Sequence, residues 1–330
     1  MRAIILNVIK IITLRNHFFR LGVFHMKKQA ILTFVLAAAL PFAGGWAVSN
    51  PALAAVPAVQ QQAAARVSVQ QLKTGTVTTY DYGQIKLYAY ATNDPLSDEC
   101  YALESKDGVV LLESTLLRSN IREWSHFVSQ LQRPVVGELM AYHPNGYAAY
   151  GKHSVYATEQ AVKNWQPDGG IYAIVGNLDK AFGSATDLSM PDRAELLKEG
   201  QTIQLAGITF HILPAGDDAY SVEIPQIHAV YRHMMGSDVH NILVSREQIA
   251  SEIQTLQGYQ QKQYDLILTG HYKPEGQAAV AQKIGYLKKV QELAATSPDR
   301  ASFIQSVKEA FPNYQGDNYL AMTASFLFDR

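Results

Sequence analysis

The stretch Tyr264-Asp265-Leu266-Ile267-Leu268-Thr269-Gly270-His271 decides the reading of this chain. A short apolar run that ends in glycine and then histidine reads as a strand delivering an imidazole to the edge of a sheet. Upstream, Met140-Ala141-Tyr142-His143-Pro144-Asn145-Gly146 presents a second histidine after a second apolar run. Two such endings predict a polar site built from loops at strand ends, where α/β proteins bind ligands.

The sequence around these two runs alternates β-rich and helical segments. Val77–Tyr80, Ile85–Ala91, Cys100–Leu103 and Val109–Leu112 read as strands, with Lys106-Asp107-Gly108 as a hairpin turn. Ile121, Trp124, Phe127, Val128 and Leu131 share a helix face, with Asn120 as expected cap and Glu123 at the reciprocal position. Val155–Ala157 and Ile171–Val175 are expected strands, and Thr158 is an expected helix cap. Further on, Thr202–Leu205 and Ile208–Leu213 flank Ala206-Gly207 as a hairpin, and Ala219–Ile224 and Asn241–Val244 read as strands. Ile249, Ile253 and Leu256 mark a helix, and Val280, Ile284, Leu287, Val290 and Leu293 mark a longer one. Ser297-Pro298 is the expected start of a last helix carrying Phe303, Val307 and Phe311. Two rounds of strands interrupted by helices predict two packed sheets with helices outside.

Residues 1–55 carry six basic residues and no acid, and Met26-Lys27-Lys28 leads into an apolar run from Ala30 to Leu40. Ala52-Leu53-Ala54 follows as a small-residue cleavage site, so the expectation is a secretory signal cleaved near Ala54. The run is shorter than the roughly 20 residues of a bilayer span, so no stable membrane span is expected once the signal is removed. Met26 begins a complete signal by itself, leaving Met1 and Met26 both open as the start. The expected organisation is leader and signal over 1–55, tether over 56–66, main domain over 67–296, and a packed extension over 297–330. Loss of the leader leaves 22 lysines and arginines against 29 acids, with no basic stripe, which argues against nucleic acid as a partner. Cys100 is the only cysteine, so no internal disulfide forms and the exported fold rests on packing. No Walker-type phosphate loop, dinucleotide fingerprint or G-x-S-x-G elbow is present.

The order of these motifs resembles the metallo-β-lactamase fold family of hydrolases. Val109–Thr115 resembles its early strand, Ala141–Gly146 its H-x-H-x-D-H stretch, Ile208–Asp217 the strand to a third ligand, Met235–Asp238 the bridging aspartate motif, and Gly270-His271 its last histidine motif. The resemblance covers about residues 75–275 and implies an α/β, four-layer αββα sandwich. It also implies zinc held by His143, Asp217, Asp238 and His271, one ion rather than two. The chain departs from the family pattern: only His143 matches a histidine, Asn145 stands for the aspartate and Gly146 for the last histidine. Either Ser237 or Asp238 falls at the bridging position, and a metal-free cleft is the other outcome. Asn145 and Asp238 are the candidate catalytic residues, Asn145 to orient water or substrate. His233 and His240 form a candidate replacement metal pair. His153 is a further candidate for the cleft, and Tyr142 and Tyr272 for the pocket wall.

Two readings follow from the resemblance. In one, a periplasmic protein derived from a metal-dependent hydrolase has lost two-zinc catalysis and keeps a polar cleft for a small-molecule ligand or partner. In the other it is a one-zinc hydrolase using His143, His271 and one or both of Asp217 and Asp238.

Overall fold

The computed structural model describes residues 65–214 and 220–329. The expected signal and cleavage site, most of the tether, and Asp217 lie outside the described residues. Among the described residues no helix is long and apolar enough to cross a membrane.

Strands β1 (Arg66–Gln71), β2 (Gly75–Asp81), β3 (Lys86–Thr92), β4 (Glu99–Ser105) and β5 (Gly108–Leu112) form an antiparallel meander. The turn of the last hairpin pairs Ser105 with Gly108, as the Asp-Gly dipeptide predicts. After helix α1 (Arg118–Gln130) the sheet becomes parallel, adding β6 (Val135–Leu139), β7 (Ser154–Thr158) and β8 (Glu195–Leu197). Helices α2 (Glu159–Trp165) and α3 (Gly170–Phe182) connect the last two strands. The second sheet holds β9 (Thr202–Leu205), β10 (Ile208–Pro214), β11 (Tyr220–Ile224), β12 (Ala229–Arg232) and β13 (Leu266–Thr269), in spatial order 13-12-11-10-9. Only the β12–β13 pair is parallel, because α4 (Arg246–Lys262) crosses between them. Helices α5 (Gln277–Thr296), α6 (Arg300–Ala310) and α7 (Asp317–Phe328) complete the chain.

The four layers are legible in the core. Leu87, Leu103, Val110, Leu112 and Leu139 of the first sheet pack with Phe210, Ile212, Val222 and Tyr231 of the second. On its outer face the first sheet buries Cys100, Val109 and Leu111 against Trp124 and Val128 of α1. The second sheet buries Val230 and Ile267 against Ile253, Leu287, Phe303 and Leu327 from α4, α5, α6 and α7. This is the expected αββα sandwich.

Several local expectations change. Ile171–Val175 belongs to α3, not a strand: Ile171 and Val175 are buried while Tyr172 and Ile174 are exposed, a helical period. Asn120 lies inside α1 and does not cap it; its amide donates to the Thr74 carbonyl at 3.0 Å, and Glu123 accepts the Thr74 backbone N–H. The cap of α6 is Asp299, which accepts from the Ser302 N–H at 2.8 Å, one position past Pro298. Asn241–Val244 is not a strand; its backbone is held by α7, where Thr323 Oγ1 accepts from Leu243 N at 2.8 Å and donates to Asn241 O at 2.7 Å.

Candidate functional site: three imidazoles at strand ends

Four strands end at one place. β5 and β6 run parallel in the first sheet, β12 and β13 in the second, and the residues just past their carboxyl ends are Glu113, the 140–146 loop, His233 and Gly270-His271. His143, His233 and His271 converge there, with one nitrogen of each within 4.8 Å of the others. His143 Nε2 stands 3.4 Å from His233 Nε2. The His143 and His271 rings are 4.9 Å apart between centroids, and those of His233 and His271 are 5.1 Å apart.

Each imidazole is held from behind. The Glu113 carboxylate accepts the backbone N–H groups of Ala141 at 2.7 Å and His143 at 2.6 Å, and of Tyr142 between them. Its Oε2 also lies 3.5 Å from His143 Nδ1. Glu113 reaches this position from a left-handed backbone, φ +62°. His271 Nδ1 lies 3.1 Å from the Leu96 carbonyl, so it carries the proton and leaves Nε2 as the free donor. The buried Asp98 carboxylate stands 3.5 Å from the same Nδ1 and accepts the Leu116 N–H. His233 is fixed at its carbonyl, which accepts from Gly270 N at 2.8 Å, and at its ring, which lies 3.5 Å from the Tyr142 ring at an interplanar angle of 23°.

Gly270 makes the convergence sterically possible. A Cβ there would stand 2.9 Å from His233 Cδ2, 3.0 Å from His143 Cε1 and 3.1 Å from the Tyr231 hydroxyl. The glycine of the Gly270-His271 pair is thus required by close approach, not by a turn.

Burial sets the protonation. It lowers the pKa of His143 and His233 well below the usual imidazole range, helped by the neighbouring imidazoles, and lowers His271 to about 4. All three rings are therefore neutral at pH 7, with lone pairs available. Burial raises Glu113 to about 7, against the three backbone N–H groups that favour its charge. Asp98 is pushed up to about 8, first by burial and then by Asp94.

The donor set fits one cation. Two imidazole nitrogens on tetrahedral zinc at ~2.1 Å stand about 3.4 Å apart, the separation of the His143 and His233 nitrogens. His143 Nδ1 is buried without a hydrogen-bond partner, its carboxylate neighbour lying just out of range, an arrangement that a charge on the opposite nitrogen would tighten. Among the described residues no carboxylate joins the three imidazoles, so this set could hold one ion and lacks the donors for a pair.

The other sequence candidates lie elsewhere. Asn145 is buried, with its amide donated to the carbonyls of Asp187 at 2.9 Å and Ser189 at 3.3 Å. Asp238 is exposed, its carboxylate 3.5 Å from Gln315 Nε2. Ser237 donates its backbone N–H to Glu275. His240 turns away from His233 to the Tyr286 hydroxyl, 3.1 Å away, and His153 pairs with buried Glu138 at 2.8 Å. Tyr142 enters the site by stacking on His233, whereas the Tyr272 ring is 6.4 Å from that of His271. The family pattern puts a ligand after β12 at residue 237 or 238; the structure instead brings His233, the first residue past the strand, beside His143 and His271.

Comparison with solved structures gives the same architecture. A metallo-β-lactamase family protein from Thermus thermophilus superposes with a TM-score of 0.51 at 14% identity, covering 74% of this chain and 91% of that one. A β-lactamase domain protein from Burkholderia ambifaria gives 0.54 at 13%, covering 82% and 89%. The stereoselective inverting sec-alkylsulfatase of a Pseudomonas species gives 0.51 at 15%; this chain spans 48% of its length. No protein-family profile matches the sequence, and no curated protein matches it. The chain has the metallo-β-lactamase fold, and among its described residues three histidines form the one cluster that could hold a metal ion.

Proposed function

We propose that this chain is an exported protein derived from a metal-dependent hydrolase, in which two-zinc catalysis has been lost. The cleft is kept for a small ligand, bound at a one-cation, three-imidazole centre. The observation that carries this reading is the meeting of His143, His233 and His271 with no carboxylate among the described residues to join them. A two-metal centre holds its ions about 3.5–4 Å apart between shared donors, and three nitrogens furnish ligands for one ion only. Asn145 commits its amide N–H groups to two backbone carbonyls, which supports a structural role for it. Glu113 and Asp98 face ring nitrogens and backbone N–H groups, so they fix imidazoles and do not abstract a substrate proton. A bound cation would supply Lewis acidity toward an oxygen ligand. Export to the periplasm rests on the basic–apolar–small order of residues 26–54.

The test is metal content and turnover of protein purified from its native cells. We expect an N-terminus near Ala55, one equivalent of metal after mild zinc exposure, loss of that equivalent in His233→Ala and His271→Ala, and no hydrolysis of ester, thioester or amide substrates. Two equivalents with turnover, or none after zinc exposure, would overturn the reading.

A second reading is a one-metal hydrolase. It is favoured by the ligand count, since three protein ligands are what catalytic zinc sites use to leave a fourth position open. Asp217 would then supply a carboxylate. Turnover by the wild type that disappears in Asp217→Asn would establish it.

A further inference from the structure

We infer that the three-imidazole cluster selects nitrogen-preferring late first-row cations, copper(II) ahead of zinc(II), and excludes the oxygen-preferring manganese(II) and magnesium(II). The inference rests on the one-cation reading above and adds the class of cation.

The argument begins with the donors. Each of the three residues offers an imidazole nitrogen, and the grouped set contains neither oxygen nor sulfur. The two described carboxylates that stand behind the rings do not alter this. Glu113 Oε2 and Asp98 Oδ1 each stand 3.5 Å from an Nδ1, behind the rings of His143 and His271. For His271 the Leu96 carbonyl fixes the Nδ1–H tautomer, so Nε2 is the donor. For His143 and His233 the Nε2 atoms already face one another at 3.4 Å. Asp238, the carboxylate nearest in sequence to the β12 ligand, is exposed and turned to Gln315.

A neutral, nitrogen-only set leaves the full charge on a divalent ion. Magnesium and calcium depend on anionic and carbonyl oxygens and, for magnesium, on near-octahedral geometry. Manganese shares that preference for oxygen. Copper, nickel and zinc gain more from imidazole, and copper stands highest in the divalent stability order. That order holds for most sites. What is particular here is that no oxygen donor joins the cluster among the described residues, which should widen the gap between copper and manganese beyond that of a mixed carboxylate–imidazole site. The cluster is also held against rearrangement: His143 by its N–H to Glu113, His271 by Leu96, and His233 by Gly270 and the Tyr142 ring.

The experiment is competitive titration of the metal-stripped full chain with copper(II), zinc(II), nickel(II), manganese(II) and magnesium(II). It is paired with electron paramagnetic resonance of the one-equivalent copper form. We expect copper to displace zinc, and manganese and magnesium to bind about a hundredfold or more weaker than zinc. The copper spectrum should show three nitrogen couplings in the wild type and two in His233→Gln. His233→Asp returns a carboxylate to the set and should narrow the zinc-to-manganese gap by about tenfold or more. Asp217→Asn should change neither ratio. Manganese binding within tenfold of zinc would overturn the inference while leaving the one-cation reading intact. So would a manganese affinity that falls in Asp217→Asn, or a copper spectrum unchanged in His233→Gln, which would mean surface histidines only. Failure of every cation to bind would sink both.

Discussion

His143 Nε2 and His233 Nε2 stand 3.4 Å apart although ninety residues separate them in the chain. One ring arrives from β6 of the first sheet and the other from β12 of the second. The site is thus a product of the two sheets meeting, and its chemistry depends on the sandwich being closed.

Gly270→Ala tests the closeness of that meeting. The added methyl would lie at 2.9–3.1 Å from two of the imidazoles and the Tyr231 hydroxyl. Overpacking of this kind costs about 1–3 kcal/mol. We expect a loss of that size in denaturant unfolding, and a metal affinity at least about tenfold lower by calorimetry.

The Tyr142 ring is predicted to hold His233 by its face. Tyr142→Phe keeps the stacked surface and should retain metal binding. Tyr142→Ala removes it, and should weaken binding by about tenfold or more, with the His233 ring signals broadened in NMR spectra. Equal affinities for the two variants would show that stacking does not position the ring.

Lys283 supplies the pH prediction. It is buried in α5, with Nζ donating to the Val239 carbonyl at 2.6 Å, and burial lowers its pKa to about 7 from the usual 10.5. Between these values the unfolded chain binds a proton at this site that the folded chain does not. Stability therefore rises with pH from about 7 toward 10.5, by up to about 1.4 kcal/mol per unit, and the same contribution is lost as pH falls from 10.5 to about 7. Lys283→Met should flatten that part of the stability–pH curve relative to wild type. Parallel curves for the two proteins would refute the assignment.

His153 and Glu138 form a buried pair at 2.8 Å, with both side chains almost fully enclosed. His153→Leu leaves Glu138 buried without its partner and should destabilise the fold by about 3 kcal/mol. Glu138→Leu/His153→Leu together should recover much of that loss. A double variant no more stable than the single one would show that the pair is not what makes His153→Leu costly.

The two histidine endings were legible because each follows an apolar run and is marked by a neighbouring glycine or proline. β12 was not legible. It has four residues, Ala229–Arg232, begins right after a turn through Pro225–His228, and is a strand because β13 and β11 flank it. No alternation announces so short a buried strand. Without it the bridging position falls at 237 or 238, and His233 is read as the partner of His240 and not of His143 and His271. Asn120 failed similarly. Its cap-like spacing is local, but its amide goes to Thr74, 46 residues away, and tertiary bonds of that kind leave no trace in a window of sequence. Ile171–Val175 misled because an apolar, β-branched run of five reads alike in strand and buried helix.

The distribution of the ligands has a consequence for assembly. His143, His233 and His271 come from both halves of the sandwich, and the last of them follows β13, the final strand. A chain that has not yet closed its two sheets therefore carries at most isolated imidazoles, each a weak and indiscriminate ligand. Cation capture, as proposed above, would be a late event that follows long-range closure of the two sheets. On the proposed reading, the ions present where the two sheets close, and not those met by the unfolded chain, would compete for the site.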